Sequence, residues 1–159
     1  MTTQLFKEFL HEVEYLANKD MDATSEADFA HCPGGKARPA TDYMAECGIF
    51  QSVIAQKLDN PDVQIDMNAQ YSVLATIDSK AKAREMFTSG VNQFSATLDK
   101  ISDSELNDEI VAPWGMSTTK GKLILHGLAH TMYHLGQLNQ LQLIQGDEEV
   151  HWMEQPVEA

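Results

Sequence analysis

The sequence predicts an all-α protein, a four-helix bundle with a crossover connection. Three observations carry this expectation. Apolar residues recur at helical spacing through four long segments. No segment keeps the two-residue alternation of a half-buried strand. A long polar connection follows the second helical segment, which favours a crossover over simple up-down-up-down order. The 159 residues suffice for one domain with a single core, expected over residues 1–150 and followed by an acidic tail over 151–159.

The first helix is expected from about Thr2 to Asn18, with Leu5, Phe6, Phe9, Leu10, Val13 and Leu16 on one side. The irregular stretch "HCPGGKARPA" then breaks the pattern with prolines and paired glycines. Thr41 reads as an N-cap with Asp42 in the first turn, so the second helix runs to about Leu58. The stretch "VQIDMNAQYSVLATID" is a long connection with room for a helical turn. Asp78 or Ser79 caps a third helix reaching about Ile101, striped by Phe87, Val91, Phe94, Leu98 and Ile101. "DSELNDEIVAPWG" reads as a loop. Ser117 or Thr118 caps the fourth helix, which continues to Gln145 before Gly146 stops it.

Composition narrows the function. A formal net charge of -13 at pH 7 repels phosphate-rich surfaces, which argues against nucleic acid and anionic membrane as partners. No apolar run approaches the ~20 residues of a membrane span. The opening residues carry charges inside their apolar pattern, unlike a signal peptide, so the cytoplasm is the expected compartment. The two cysteines, Cys32 and Cys47, build no disulfide framework and are expected as reduced thiols.

The fourth helix carries the chemistry. In "HGLAHTMYHLGQLNQ", His126, His130 and His134 stand one turn apart. At about 100° per residue, His126 lies near -40° and His134 near +40° from His130, inside an apolar stripe with Leu123, Leu138 and Leu141. Buried imidazoles need partners for a donor and an acceptor each. Histidines four apart can converge on one divalent ion. On the second helix, Glu46 falls within the arc of Tyr43, Cys47, Phe50, Val53 and Ile54. Metal coordination by Glu46, His130 and His134 would satisfy all three groups. The alternative is a metal-free polar core in which Glu46 hydrogen-bonds Tyr133 or Gln137.

These residues carry a resemblance. "HTMYHLGQLNQLQLIQGD" resembles the closing helix of the DinB/YfiT-like superfamily of metalloenzymes, in which His-x3-His is followed by a variable residue, Gly-Gln and a hydrophobic residue. His130, His134, Gly136, Gln137 and Leu138 match that pattern. "VAPWGMSTTKGKLILHGLAH" is similar to the family's loop and helix start, and "TDYMAEC" to its second helix. The resemblance implies a four-helix bundle, often a homodimer, holding zinc, nickel or a similar divalent ion, with manganese and iron as further candidates. It also implies thiol-dependent transferase or isomerase chemistry on a small molecule, with a low-molecular-weight thiol as co-substrate. Where the family usually has a third histidine, this sequence has Glu46. A His2Glu set still suits hydrolytic or Lewis-acid chemistry with an open water position.

Within that reading, His126 or Tyr133 would shuttle a proton, and His126 could instead serve as a ligand or orient a water. Non-catalytic binding of a metal or small molecule, and a metal-free structural dimer, are the competing functions. Cys47 reads as a packed core thiol. His31 and Cys32 are a poor metal site in a loop, and Trp114 is expected over a bundle end. A second apolar stripe (Leu125, Leu128, Met132, Leu135 and Leu143) lies nearly opposite the histidines. It is to be covered by a second copy of the chain or by the chain's own irregular segments.

Overall fold

Four long helices form where the periodicity places them, in a computed structural model that describes residues 2–152. They are α1 (Thr2–Ala23), α3 (Ala40–Asp59), α5 (Lys80–Leu98) and α6 (Lys120–Ile144), with short helices α2 (Glu26–Phe29) and α4 (Met67–Ser72) in the connections. Cross-helix pairs fix the directions. Arg84–Asp22 and Lys7–Asp99 make α1 and α5 antiparallel. Gly48 against Gly90 and Asp59 against Thr97 make α3 and α5 parallel. Gln51 bonded to Thr131 makes α6 antiparallel to α3 when taken with Ile54 against Gly127. The order is therefore up-down-down-up, and residues 60–79 are the crossover.

The core is contributed by all four helices, with Leu10, Val13, Met44, Ile54, Phe87, Phe94, Leu123 and Leu138 buried. The tightest crossing joins α3 to α5. A Cβ on Gly48 would lie 2.1 Å from the Met86 carbonyl oxygen, and one on Gly90 2.1 Å from that of Gly48. Only glycine lets these backbones touch.

Several boundaries differ from the sequence expectation. Helix α1 continues past Asn18 to Ala23, because Ala17 and Met21 are buried and nothing breaks the turn before Ser25, the N-cap of α2. Pro39, not Thr41, occupies the N-cap of α3, without a side-chain cap, and Thr41 is buried inside the helix. The crossover contains α4 and a 3-10 turn over Val73–Thr76, filling the room left for a helical turn. Ser79 caps α5 by accepting from the Lys82 amide, and α5 ends at Leu98.

The stretch read as a loop holds a 3-10 turn and a two-stranded hairpin, β1 (Glu109–Val111) with β2 (Ser117–Thr119). The second strand runs through Thr119, so α6 begins only after it and Thr119, not Ser117 or Thr118, is the cap. Gly146 follows the helix with φ +89, as a C-terminal stop requires. The expected irregular tail falls largely on residues 153–159, outside the described residues.

In the second stripe of α6, Leu128 and Leu135 are buried by the chain itself, because α6 neighbours both α1 and α3. Leu125, Met132 and Leu143 remain exposed.

Candidate metal centre

Glu46 enters on α3 and the two histidines on α6, at the level where these antiparallel helices face each other. Glu46 Oε1 lies 3.4 Å from His130 Nε2 and 3.8 Å from His134 Nε2. The two imidazole Nε2 atoms are 3.3 Å apart. The three residues proposed from the sequence therefore meet. Cys47, the next residue of α3, is fully buried as expected of a core thiol. It also reaches the same place: its Sγ and one nitrogen from each of His130 and His134 lie within 4.8 Å of one another.

The surroundings bias the protonation of the donors. Gln137 Oε1 is 2.7 Å from His134 Nδ1, and the amide nitrogen of Gln137 donates to the Tyr133 hydroxyl at 3.4 Å. The Gln137 oxygen offers Nδ1 an acceptor: with the proton there the Nε2 lone pair is free for an ion, and with the proton on Nε2 the ring donates to Glu46 instead. Burial holds the His130 imidazole below its ordinary pKa; the Glu46 hydrogen bond opposes this and the charge of His134 adds to it. His130 is thus kept neutral, the form that binds metal. Burial also works against ionisation of Glu46. Hydrogen bonds to His130, His134 and Arg38 outweigh it and hold the carboxyl well below the usual carboxylate range.

Arg38 closes the outer side. Its guanidinium pairs with Glu46 Oε2 and lies 3.5 Å from Asp42. Glu46 therefore turns one oxygen to the arginine and the other to the histidines, not to Tyr133 or Gln137 as the metal-free alternative supposed. Aromatic rings wall the rest. Phe50 stacks on His130 at 4.1 Å between centroids, and Tyr43 stacks nearly parallel on His134 at 5.6 Å.

His126 is exposed and packs against Trp114 at 4.9 Å and Phe50 at 6.0 Å, so it lies beside the aromatic wall. Trp114 itself stacks on Phe50. Tyr133 touches His134 edge-on at 5.0 Å, and its side chain is largely exposed. Beyond His134, α6 passes the start of α3 and meets the 33–38 loop, which leaves a cavity there. His31 and Cys32 are both exposed, and Cys32 is a free thiol.

Sequence reasoning missed Arg38, Tyr71 and the Gln51–Thr131 pair. Tyr71, on α4, is near enough that the Glu46 carboxylate adds to burial in pushing its phenol up to about 12. Gln51 donates to Thr131 at 2.9 Å one turn deeper than Cys47. The one usable signal was Arg38, a cation just before a helix that carries Asp42 and Glu46 at its start.

The arrangement can be set against known proteins. A family model described as the DinB superfamily matches residues 10–138, from α1 through the Gly136-Gln137-Leu138 segment of α6. The chain belongs to the DinB superfamily. No curated protein matches it. The donor set of this DinB-superfamily chain fits a divalent ion: two imidazoles with Nε2 atoms 3.3 Å apart, an ionised carboxylate and a thiol beside them. No described helix is long and apolar enough to cross a membrane.

Proposed function

We propose that the chain is a cytoplasmic metal-dependent enzyme acting on a small molecule, with His130, His134 and Glu46 as ligands and Cys47 within reach as a fourth. The observation that carries this reading is the convergence of the donors: His134 Nε2 lies 3.3 Å from His130 Nε2 and 3.8 Å from the ionised Glu46, with the Cys47 sulfur in the same group. Zinc or nickel suits the set best; manganese and iron favour oxygen-richer sites. A bound divalent ion supplies Lewis-acid chemistry and lowers the pKa of a water or thiol. The reaction class is thiol-dependent transfer, isomerisation or hydrolysis, with a low-molecular-weight thiol or water as the nucleophile.

The chain's own groups have separate tasks. Gln137 offers His134 Nδ1 an acceptor and so favours the ligating tautomer. Arg38 neutralises the outer oxygen of Glu46 and keeps its inner oxygen on the histidines. Phe50 and Tyr43 fix the imidazole planes and exclude water from two sides. Tyr133 is in contact with His134 and exposed, so it is the nearer proton carrier. His126 lies across Phe50 and needs an intervening water to join the centre.

Elemental analysis of protein purified without chelator or metal-affinity tag tests the reading. One zinc, nickel, manganese or iron per chain is expected, lost in His130→Ala and His134→Ala. A wild-type protein that never holds near-equimolar metal, even after metal is added, overturns it. Cobalt substitution then assigns the third and fourth ligands. An intense near-ultraviolet thiolate-to-metal band that disappears in Cys47→Ser places Cys47 on the ion, and a spectrum without it leaves Glu46 as the third ligand.

A further inference from the structure

Beside the histidine pair, toward the C-terminal end of α6, lies a cavity of about 280 Å³ between the 33–38 loop and α6. That volume is at the lower end of small-molecule sites. Three of its lining residues, Arg38, Tyr43 and Gln137, are the ones that hold Glu46 and His134 from outside. The cavity therefore abuts the centre without including any of its donors. Its opposite wall, Leu141 and Ile144, is apolar.

Two features of the lining point to the ligand. The first is Tyr43. Its side chain is 4% exposed and its hydroxyl, buried, has no hydrogen-bond partner. A buried hydroxyl without a partner costs free energy that a polar ligand atom would recover. The second is charge. In a chain of net charge -13 with only 11 lysines and arginines, two of these cations, Lys36 and Arg38, line this one cavity. Arg38 is engaged by Glu46 and Asp42. Lys36 is exposed and makes no ion pair among the described residues. One uncompensated cation matches one negative charge; a doubly charged phosphate would leave excess anion beside Glu46 and Asp42.

We infer that this cavity binds a small organic monoanion, a carboxylate with an apolar body, its charged end met by Lys36 and the Tyr43 hydroxyl and its body lying on Leu141 and Ile144. The inference goes beyond the metal reading, because no ion takes part in the contacts.

Titration calorimetry at low ionic strength tests it, with hexanoate as probe and hexanamide and hexylamine as uncharged and cationic controls. Hexanoate is expected to saturate with a Kd on the order of 1 mM or tighter. Hexanamide and hexylamine should bind at least several-fold more weakly, and added salt should weaken hexanoate. Lys36→Met should lower hexanoate affinity about five-fold, as loss of one exposed charge pair implies. Ile144→Glu, a change at an exposed position that circular dichroism can verify as folded, should abolish it. The same titration after chelator treatment should give the same affinity. Equal binding of hexanamide, unchanged binding in Ile144→Glu, or no saturation at about ten times the expected Kd overturns the proposal. Binding that vanishes with the chelator also overturns it, since a bound ion would then be holding the carboxylate. Because the readout is binding to metal-free protein, a chain that holds no metal leaves this test intact.

Discussion

A buried imidazole needs a partner to choose which nitrogen carries its proton, and Gln137 offers His134 an acceptor 2.7 Å from Nδ1. Gln137→Leu removes that acceptor while keeping the bulk. Metal affinity measured by competition with a chelator should fall about 10- to 100-fold, as for other partners that orient a ligand. Unchanged affinity would mean that the tautomer is set elsewhere. On another side of α6, Asp20 of α1 is 1% exposed, with Oδ2 accepting from Asn139 at 2.8 Å and Oδ1 unpartnered. Burial is the largest influence and raises its pKa, although the Asn139 hydrogen bond works against this. A raised folded-state value means that folding favours the protonated acid. Its contribution is complete below the unfolded pKa of about 3.9 and is lost as pH rises through the raised value. Asp20→Asn should therefore be more stable than wild type in urea at pH 7, with the gain shrinking as pH falls toward about 4. A variant less stable than wild type at pH 7 would contradict this sign. At this scale the sequence was most informative about Glu46, His130 and His134, because one angle per residue puts them on facing arcs. Arg38 and Tyr71 come from a loop and the crossover, where no period exists to place them.

Helices were legible wherever a stripe ran for several turns, and least legible where elements are short. The strands Glu109–Val111 and Ser117–Thr119 are too brief to show alternation, and the α4 turn lies in weakly patterned chain. The crossing at Gly48 and Gly90 was also hidden, because a helical glycine shows in a sequence only as lost propensity. Its role is visible in the 2.1 Å that a Cβ would leave to the facing carbonyl oxygens. Gly48→Ala and Gly90→Ala should each cost on the order of 3 kcal/mol, since backbone rather than a side chain has to move. Gly48 lies two residues beyond Glu46, so displacement of α3 should also weaken metal binding in either variant. Gly136 supplies the control. No atom lies within 4 Å of its missing Cβ, so Gly136→Ala should stabilise α6 by up to about 1 kcal/mol. Denaturant midpoints for the three variants give the comparison, and a Gly48→Ala protein as stable as wild type would refute the close crossing.

On the whole molecule, the bundle leaves several large apolar side chains uncovered. The sequence showed two stripes on α6 but not which neighbour covers the second, because helix order around the bundle depends on the crossover. The chain buries Leu128 and Leu135 itself, while Leu125 and Met132 are 51% and 40% exposed. On the neighbouring helix α1, Leu5 and Phe9 are exposed as well. Large apolar side chains on two adjacent helices are a surface that two-fold pairing would bury. We propose a homodimer through α1 and α6. Each copy carries a net charge of -13, so approach is opposed by long-range repulsion that salt screens. Sedimentation at micromolar concentration should show a dimer that tightens as ionic strength rises, the reverse of an association held by ion pairs. Leu125→Glu combined with Met132→Glu adds two carboxylates per copy at exposed positions, leaving Leu128 and Leu135 in place. That variant should be a folded monomer by circular dichroism and sedimentation, with its metal content unchanged because neither position touches the histidine pair. A wild-type chain that sediments as a monomer at every salt concentration would refute the dimer and leave these side chains as ordinary exposed surface.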